Sequence, residues 1–211
     1  TTSPFDSDAM QLETVGRLLP GIEAKIVDDQ HQELPRGQTG ELAMRLPSVM
    51  LGYHNAPDMN AAVFDQDGWY FTGDLATMDE NGYFRIVGRK KDMIIRVGQN
   101  IYPAEIESHL SGKPGIANIA VVGVPDPIVG ERVWAFVVPT EGAKLAPGDI
   151  LNFCRGELAP YKVPEQVRVV ADLPMTSTGK VQKFVLRARA LQELEQVGAG
   201  AAPGSGQNTS A

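Results

Sequence analysis

The sequence predicts an α+β fold in two parts, a β-rich, barrel-like first part followed by a small α+β domain. In residues 1–88, short segments that alternate apolar and polar positions lie between turns, and no long helical period occurs. From residue 89 on, strand-like apolar segments are mixed with segments that have helix start and stop signals. We therefore predict domains at 1–88 and 89–197. Residues 198–211 are small and almost uncharged, which predicts a disordered tail.

Three segments of the first part have strand patterns. "IEAKIVD" alternates apolar and polar residues, and "GELAMRL" follows a Pro-Arg-Gly turn. "GYFRIVG" follows the sequence Asp-Glu-Asn-Gly, which is a strong hairpin-turn signal. These patterns predict strands at 22–28, 40–46 and 82–88.

The second part has both kinds of element. "KDMIIRVG", residues 91–98, fits either a strand pair or a turn. Pro103 suits a first helical position and Gly112 a helix stop, so a helix is predicted between them. Pro147 and Asp149 open a second helix in the same way. The remaining predicted elements are strands at 116–124, 132–139 and 166–170 and a terminal helix at 183–197.

Composition excludes several classes of protein. The net charge of −7 argues against a nucleic-acid-binding partner, and no apolar run approaches the ~20 residues of a transmembrane segment. The single cysteine, Cys154, allows no internal disulfide, and no Cys/His spacing indicates a metal site. Cys154 shares helical spacing with Ile150 and Leu158, which predicts a core residue. Without a secretory signal, a cytoplasmic location is expected.

One lysine, Lys180, stands at an unusual place, after a Ser-Thr-Gly turn and before a helical segment. A phosphate-binding P-loop is excluded, because Pro174 and Val181 replace the glycine and the hydroxyl residue which that motif requires. A cation at a helix start faces the unfavourable end of the helix dipole. This position favours a functional lysine over a solvated surface lysine.

Three motifs occur in order, "WYFTGDL" at 69–75, "GRKKDMIIRVGQNIYPAEIE" at 88–107 and "PMTSTGKVQK" at 174–183, with "GELAMR" before them. Together they resemble the C-terminal part of the adenylate-forming superfamily: acyl-CoA and aryl-CoA synthetases, peptide-synthetase adenylation domains and beetle luciferases. The resemblance covers about residues 10–195 and is greatest to an acyl- or aryl-CoA ligase. It implies that a carboxylate attacks the α-phosphate of ATP and that a thiol, usually of coenzyme A, then displaces AMP.

The resemblance implies three nucleotide-binding residues. Asp74 of "TGD" matches the ribose-binding carboxylate, although an aspartate there can also cap its own turn. Arg89 matches a second nucleotide contact, and its alternative is a solvated arginine in a basic cluster. Ile86 matches a position that packs near the ribose, and its alternative is an ordinary core residue of a strand.

The same resemblance implies a hinge and a coenzyme A path. Lys91 matches the hinge about which the small domain rotates between the two steps, and a long solvated side chain tolerates such a change. Gly98 matches the loop that lines the pantetheine tunnel, and its alternative is a turn glycine. Tyr102 and Lys162 match further coenzyme A positions. Val163 and Glu165 replace cationic residues of some relatives, which weakens the match at Lys162.

For Lys180 the resemblance implies a catalytic role in adenylation. Attack at the α-phosphate builds negative charge on oxygen atoms, and a permanent ammonium stabilises that transition state more than the ground state. The Thr-Ser-Thr-Gly turn carries this lysine from the small domain into the active site.

Two motifs of the superfamily are absent: the Ser/Thr/Gly-rich phosphate loop and an aromatic-Gly-x-Thr-Glu motif whose glutamate helps to hold Mg²⁺. The chain also lacks an initiator methionine, so we expect it to be part of a longer protein that contains the acyl pocket. Alone it is expected to be inactive, with exposed apolar surface where the missing part packs. The substrates implied are ATP, a fatty or aromatic carboxylic acid and coenzyme A.

Three other functions stay open at this point. An adenylation domain that loads a carrier protein would have the same motifs, and luciferase-like chemistry is not distinguished by them. A non-catalytic module with a degenerate site is the third alternative. It is disfavoured because Asp74, Arg89 and Lys180 are all present.

Overall fold

The computed structural model describes residues 1–199, and its fold is α+β, as predicted. The described residues form two compact units, with the division between Met93 and Ile94. The division falls a few residues after the predicted boundary at Gly88, because Arg89 still belongs to the last strand of the first unit. The terminal helix continues to Ala199, and the rest of the predicted tail, residues 200–211, lies outside the described residues.

The first unit is built on a four-stranded antiparallel sheet in which the strands follow chain order. Its strands are β1 (Glu23–Val27), β2 (Gly40–Arg45), β3 (Tyr70–Met78) and β4 (Phe84–Arg89). The strands predicted at 22–28, 40–46 and 82–88 are thereby confirmed. Two short helices, α1 (Asp8–Glu13) and α2 (Pro57–Val63), were not predicted.

The core of this unit is small, because its short strands supply few apolar side chains. One cluster joins Ile26 of β1 to Ala76, Met78 and Phe84. Other large apolar side chains are exposed, among them Leu51, Phe5, Leu12 and Met59. Apolar surface left in water is the feature that the sequence predicted for this part.

The second unit has a five-stranded sheet. Its strands are β5 (Ile94–Arg96), β6 (Gln99–Ile101), β7 (Ile116–Asp126), β8 (Gly130–Pro139) and β9 (Gln166–Val169). The order is β6-β5-β8-β7, and β9 pairs parallel to β8 while all the other pairs are antiparallel. Three helices complete the unit: α3 (Pro103–Ser111), α4 (Pro147–Glu157) and α5 (Lys183–Ala199).

Helices cover both faces of this sheet. Along β8, Val133, Ala135 and Val137 pack in one cluster with residues of α3 and α4. The alternate residues Trp134 and Phe136 pack in a second cluster with α5. Burial on both faces explains why β7 and β8 are almost continuously apolar in sequence.

The cysteine prediction is confirmed, because Cys154 on α4 is fully buried in the first of these clusters. Burial raises the pKa of its thiol to about 11, so the reactive thiolate is scarce at neutral pH. Within residues 1–199, no helix combines the length and the apolar character that a membrane crossing requires.

Candidate functional site

The first candidate site residues lie on an irregular part of β3. The pairing of β3 shifts register once against β2 and once against β4, and both shifts lie close to residues 72–74. Gly73 has a φ of +72°, a backbone conformation in which L side chains are strained. The hydroxyl of Thr72 donates to the carbonyl of Leu42 (2.8 Å) and accepts from the backbone N–H of Asp74 (3.1 Å). The sequence Thr-Gly-Asp therefore forms a fixed turn, named the 72–74 turn below.

Asp74 and Arg89 form an ion pair across β3 and β4. The two residues are directly opposed, and Arg89 Nε lies 2.9 Å from Asp74 Oδ1. Among the described residues, Asp74 Oδ2 and the terminal nitrogens of Arg89 have no partner. The turn-capping interpretation of Asp74 is wrong, because its carboxylate accepts no backbone N–H in the described structure. The pair presents a carboxylate oxygen and guanidinium donors side by side.

A buried carboxylate, that of Glu41, accepts a hydrogen bond from the backbone of this turn. Its side chain accepts the Gly73 N–H (3.0 Å) and pairs with Lys90 (2.9 Å), which also pairs with Asp29 (2.9 Å). Partial burial alone would lower the pKa of Lys90, but the two carboxylates raise it overall. Glu41, at 7% exposure, is the only buried charged residue among the described residues. Sequence reasoning missed its role, although "GELAMR" was one of the noted motifs.

An open cleft of about 390 Å³ lies beside the 72–74 turn. Its lining includes three cationic side chains, Arg89, Lys90 and Lys91, together with Thr72 and Gly73. Lys91 is exposed and lies in a single 3-10 turn, Lys90–Asp92, that follows β4. Such a cleft is suited to an anionic ligand.

Ile86 lies on β4 and is 41% exposed. The alternative interpretation, an ordinary core residue of a strand, is therefore wrong for the first unit. An exposed apolar side chain on this strand is available to a ligand or to another part of the protein.

Gly98 lies in the second unit, in the two-residue turn that joins β5 to β6. Both central residues have positive φ, +49° at Val97 and +74° at Gly98, as in the turns that favour tight hairpins. A Cβ built on Gly98 would meet nothing within 4 Å, so conformation rather than space requires the glycine. The "strand pair" interpretation of residues 91–98 is confirmed in part, with β5 as one strand and residues 99–101 as its partner.

Two further candidate residues of this unit, Tyr102 and Lys162, have different surroundings. Tyr102 is partly buried and directly precedes α3. The ammonium of Lys162 pairs with both carboxylate oxygens of Glu105, at 2.6 and 2.7 Å. Partial burial acts to lower the pKa of Lys162, but Glu105 and Tyr161 raise it overall. A phosphate ligand at Lys162 would therefore have to replace Glu105.

Lys180 is exposed at the edge of a closed loop, residues 174–182, which we name the Lys180 loop. Its backbone N–H donates to the Thr176 hydroxyl (3.0 Å), and its carbonyl accepts from Thr176 N–H (2.8 Å). Gly179 reaches a φ of +78° to close the loop. In residues 1–199, no carboxylate pairs with the Lys180 ammonium, whereas Lys183, at the start of α5, pairs with Glu107 (2.7 Å).

The structure thus brings together Asp74, Arg89 and Lys91 within the first unit, with Ile86 on the same strand as Arg89. Gly98, Tyr102, Lys162 and Lys180 all belong to the second unit. Among these residues, Asp74 follows Gly73 and Lys180 follows Gly179, and Gly73, Gly98 and Gly179 all have positive φ.

Comparison with known proteins decides the family. The AMP-binding enzyme family matches residues 1–54, and the AMP-binding enzyme C-terminal domain matches residues 105–180. YngI of Bacillus subtilis (strain 168) is 45% identical over 192 residues, which are 90% of this chain and 35% of YngI. The human mitochondrial medium-chain acyl-CoA ligase ACSF2 is 43% identical over 185 residues, which are 87% of this chain and 30% of ACSF2.

Among solved structures, ATP-bound MatB from Rhodopseudomonas palustris has a TM-score of 0.78 at 43% identity. The match covers 84% of this chain and 35% of MatB. The chain belongs to the adenylate-forming superfamily. The resemblance seen in its motifs is confirmed, and the chain spans about a third of the length of the curated relatives it matches.

Within the described part of the chain, no three His, Cys, Asp or Glu side chains are grouped as a metal ion would require.

Proposed function

We propose that this chain is the C-terminal part of an ATP-dependent carboxylic acid–CoA ligase, which forms an acyl-adenylate and then a thioester. Membership of the adenylate-forming superfamily supports this, as do relatives whose names describe acyl-CoA ligases. The observation that carries the proposal is the ion pair of Asp74 and Arg89 beside a cleft with three cations. A nucleotide needs such a combination, because its ribose offers hydroxyl donors and its phosphates are anionic.

In this proposal the 72–74 turn holds the nucleotide in both steps. Asp74 Oδ2 accepts a ribose hydroxyl, while Oδ1 keeps the pair with Arg89 (2.9 Å). The terminal guanidinium nitrogens of Arg89 donate to a second ribose or phosphate oxygen. A carboxylate fixed by Arg89 loses little freedom when a ligand binds, which favours affinity. Ile86 supplies an apolar contact near the sugar.

Lys180 acts in the first step only. Its exposed ammonium is assigned to the α-phosphate of ATP, where negative charge grows as the carboxylate attacks. Pyrophosphate leaves, and the acyl group remains joined to AMP. The absence of a carboxylate partner for Lys180 among residues 1–199 supports this role, because the full charge stays available.

The second step uses the turn that contains Gly98. A thiolate of coenzyme A attacks the acyl carbon, the C–S bond forms, and AMP leaves with the electron pair of the broken C–O bond. Gly98 lines the path of the thiol arm, while Tyr102 and Lys162 contact other parts of coenzyme A. Lys91 is the hinge that lets the second unit present Lys180 in one step and Gly98 in the other.

The test uses the longer protein that carries this chain together with the part its relatives have before it. We expect exchange of labelled pyrophosphate into ATP that depends on one acid from a panel of fatty and aromatic acids. With that acid, coenzyme A should yield an acyl-CoA detectable by mass spectrometry. A folded protein that supports exchange with none of the acids would contradict the proposal. Transfer to a carrier protein but not to coenzyme A would favour the alternative of an adenylation domain that loads a carrier protein.

The 211-residue chain alone is the matched control. We propose that it forms no acyl-CoA, because the acyl pocket and the phosphate loop of the superfamily are not among its residues. Formation of acyl-CoA by this chain would overturn that part of the proposal. A cytoplasmic location also stays a prediction here.

A further inference from the structure

The hairpin of β5 and β6 is joined to the rest of its sheet by few backbone contacts. β5 pairs with β8 at one register position, Arg96 opposite Gly130. One more backbone bond joins Val97 N–H to the Val129 carbonyl (2.8 Å). Val97 is a β-branched residue with a φ of +49°, a conformation that persists only where the surroundings enforce it. Something besides the strand ladder must therefore fix this turn.

The carboxylate of Glu131, near the start of β8, supplies such a contact. Its Oε2 accepts the backbone N–H of Ile95 (2.9 Å), which is two residues before Val97. Its Oε1 accepts from Arg187 of α5 (2.9 Å). The Glu131 side chain is only 17% exposed, whereas that of Arg187 is 44% exposed. One largely buried carboxylate thus joins the main chain of the hairpin to the terminal helix.

The neighbouring strand leaves room for this carboxylate. A Cβ built on Gly123 of β7 would lie 2.9 Å from Glu131 Oε1 and 3.0 Å from its Cδ. A glycine within a strand weakens it, and here φ is not in the left-handed region, so the need is for space. The Glu131 carboxylate therefore occupies space that only a glycine at position 123 leaves open, so the two residues fit each other in this unit.

We propose that Glu131 is a positioning residue: its carboxylate holds the turn of Val97 and Gly98 in the orientation that thioester formation requires. The proposal rests on the proposed function, in which Gly98 lines the path of the acceptor thiol. Glu131 itself touches no substrate and transfers no proton. It acts through the backbone of β5, and Arg187 keeps its charge compensated.

The first test needs no activity and uses the 211-residue chain. Amide hydrogen exchange is measured for Glu131→Ala, Glu131→Gln and a control, Glu141→Ala, whose side chain is exposed and in no ion pair in the described structure. Glu131→Ala should speed exchange at Ile95, Val97 and Gly98 by about tenfold or more. Glu131→Gln should keep most of the protection, because its amide oxygen still accepts from Ile95.

Exchange at Ile95 within about twofold of the parent chain in Glu131→Ala would overturn the proposal. If Glu131→Ala fails to fold, Gly123→Ala takes its place, because the added methyl displaces the carboxylate without removing it. That variant should also speed exchange at Ile95, and unchanged exchange there would count against the proposal.

The second test separates the two half-reactions in the longer protein. For Glu131→Ala we expect thioester formation from a pre-made acyl-adenylate to fall about tenfold or more, with pyrophosphate exchange changed less than about twofold. Glu131→Gln should restore most of the loss. Equal loss in both half-reactions would overturn the positioning role. A longer protein without ligase activity in any form would refute the proposed function instead, while amide exchange still decides whether Glu131 holds the turn.

Discussion

The 72–74 turn and the Lys180 loop differ in whether their charged side chains have ion-pair partners. At the turn, Asp74, Arg89, Glu41 and Lys90 each have a charged partner at 2.9 Å. In the loop, the Lys180 ammonium is exposed and no carboxylate in residues 1–199 pairs with it. Paired groups bind a ligand with little rearrangement. An unpaired cation instead has its full charge available to stabilise a transition state. Under the proposed function, the first region serves both steps and the second serves one.

The largest expected effect tests the second half of this contrast. Lys180→Ala should lower acyl-adenylate formation about 10²- to 10³-fold, because a charge that stabilises the transition state is lost. Conversion of pre-made adenylate to acyl-CoA should change little. Pyrophosphate exchange and single-turnover thioester formation measure the two rates, with Lys144→Ala, an exposed lysine of the same unit, as control. Equal loss of both rates would remove the contrast.

A proline at Lys91 tests whether one region can serve two steps through a hinge. Lys91→Pro fixes φ near −65° and should slow one half-reaction by about tenfold or more while sparing the other. Lys91→Ala keeps the backbone free and is the matched control. The same two assays apply. Comparable loss of both half-reactions in the proline variant would argue against a hinge at this residue.

Removal of the paired charges tests the first half of the contrast. Arg89→Ala should raise the KM for ATP by about 10- to 100-fold, since hydrogen bonds to charged groups contribute ~1.5–3 kcal/mol each. The rates of both half-reactions should fall, because the enzyme binds the nucleotide part in each of them. Asp67→Asn, an exposed carboxylate of the same unit, is the control. A loss confined to adenylation would show that Arg89 behaves like Lys180.

The smallest effect concerns stability, in a part of the second unit next to the hairpin. Backbone N–H groups of Val129 and Ile128, and then Arg132, lower the pKa of Asp126 to about 2, from an ordinary value of 3.8. A carboxyl whose pKa is lower in the folded state stabilises the fold above its unfolded pKa. This contribution is lost as pH falls from about 4 towards 2.

Thermal melting of the 211-residue chain at several pH values measures this effect. The melting temperature of the parent chain should fall more steeply between pH 4 and 2 than that of Asp126→Asn, which cannot titrate there. Parallel curves would show that Asp126 contributes no pH-dependent stability. Glu141→Gln, at an exposed position, is the control.

Local patterns predicted most of the secondary structure. Pro103 and Pro147 begin α3 and α4 where expected, and the apolar run from residue 116 forms β7. The helices α1 and α2 escaped prediction because they have six and seven residues, too few to display a helical period. Both are confined to the first unit, where the sequence showed only strands and turns.

The chemistry-bearing residues were predicted by motif, but their partners were not. Nothing in the sequence pairs Glu41 with Lys90, or Glu131 with Arg187, because these contacts join positions far apart in the chain. Lys162 is a further example: the sequence motif predicted the residue, but only the structure shows that Glu105 pairs with its ammonium. Burial and register, which decide such pairings, depend on the whole fold.

The shared carboxylate of Glu41 has a consequence for how this region tolerates change. Because the same side chain contacts Gly73 and Lys90, and Lys90 also contacts Asp29, four positions spread over some sixty residues behave as one energetic unit. Substitutions among them should be non-additive, so that a loss at Lys90 costs less once Glu41 is already replaced. Substitutions at these sites among homologous proteins are then expected to be correlated, so that a change of charge at one site occurs together with a compensating change at another.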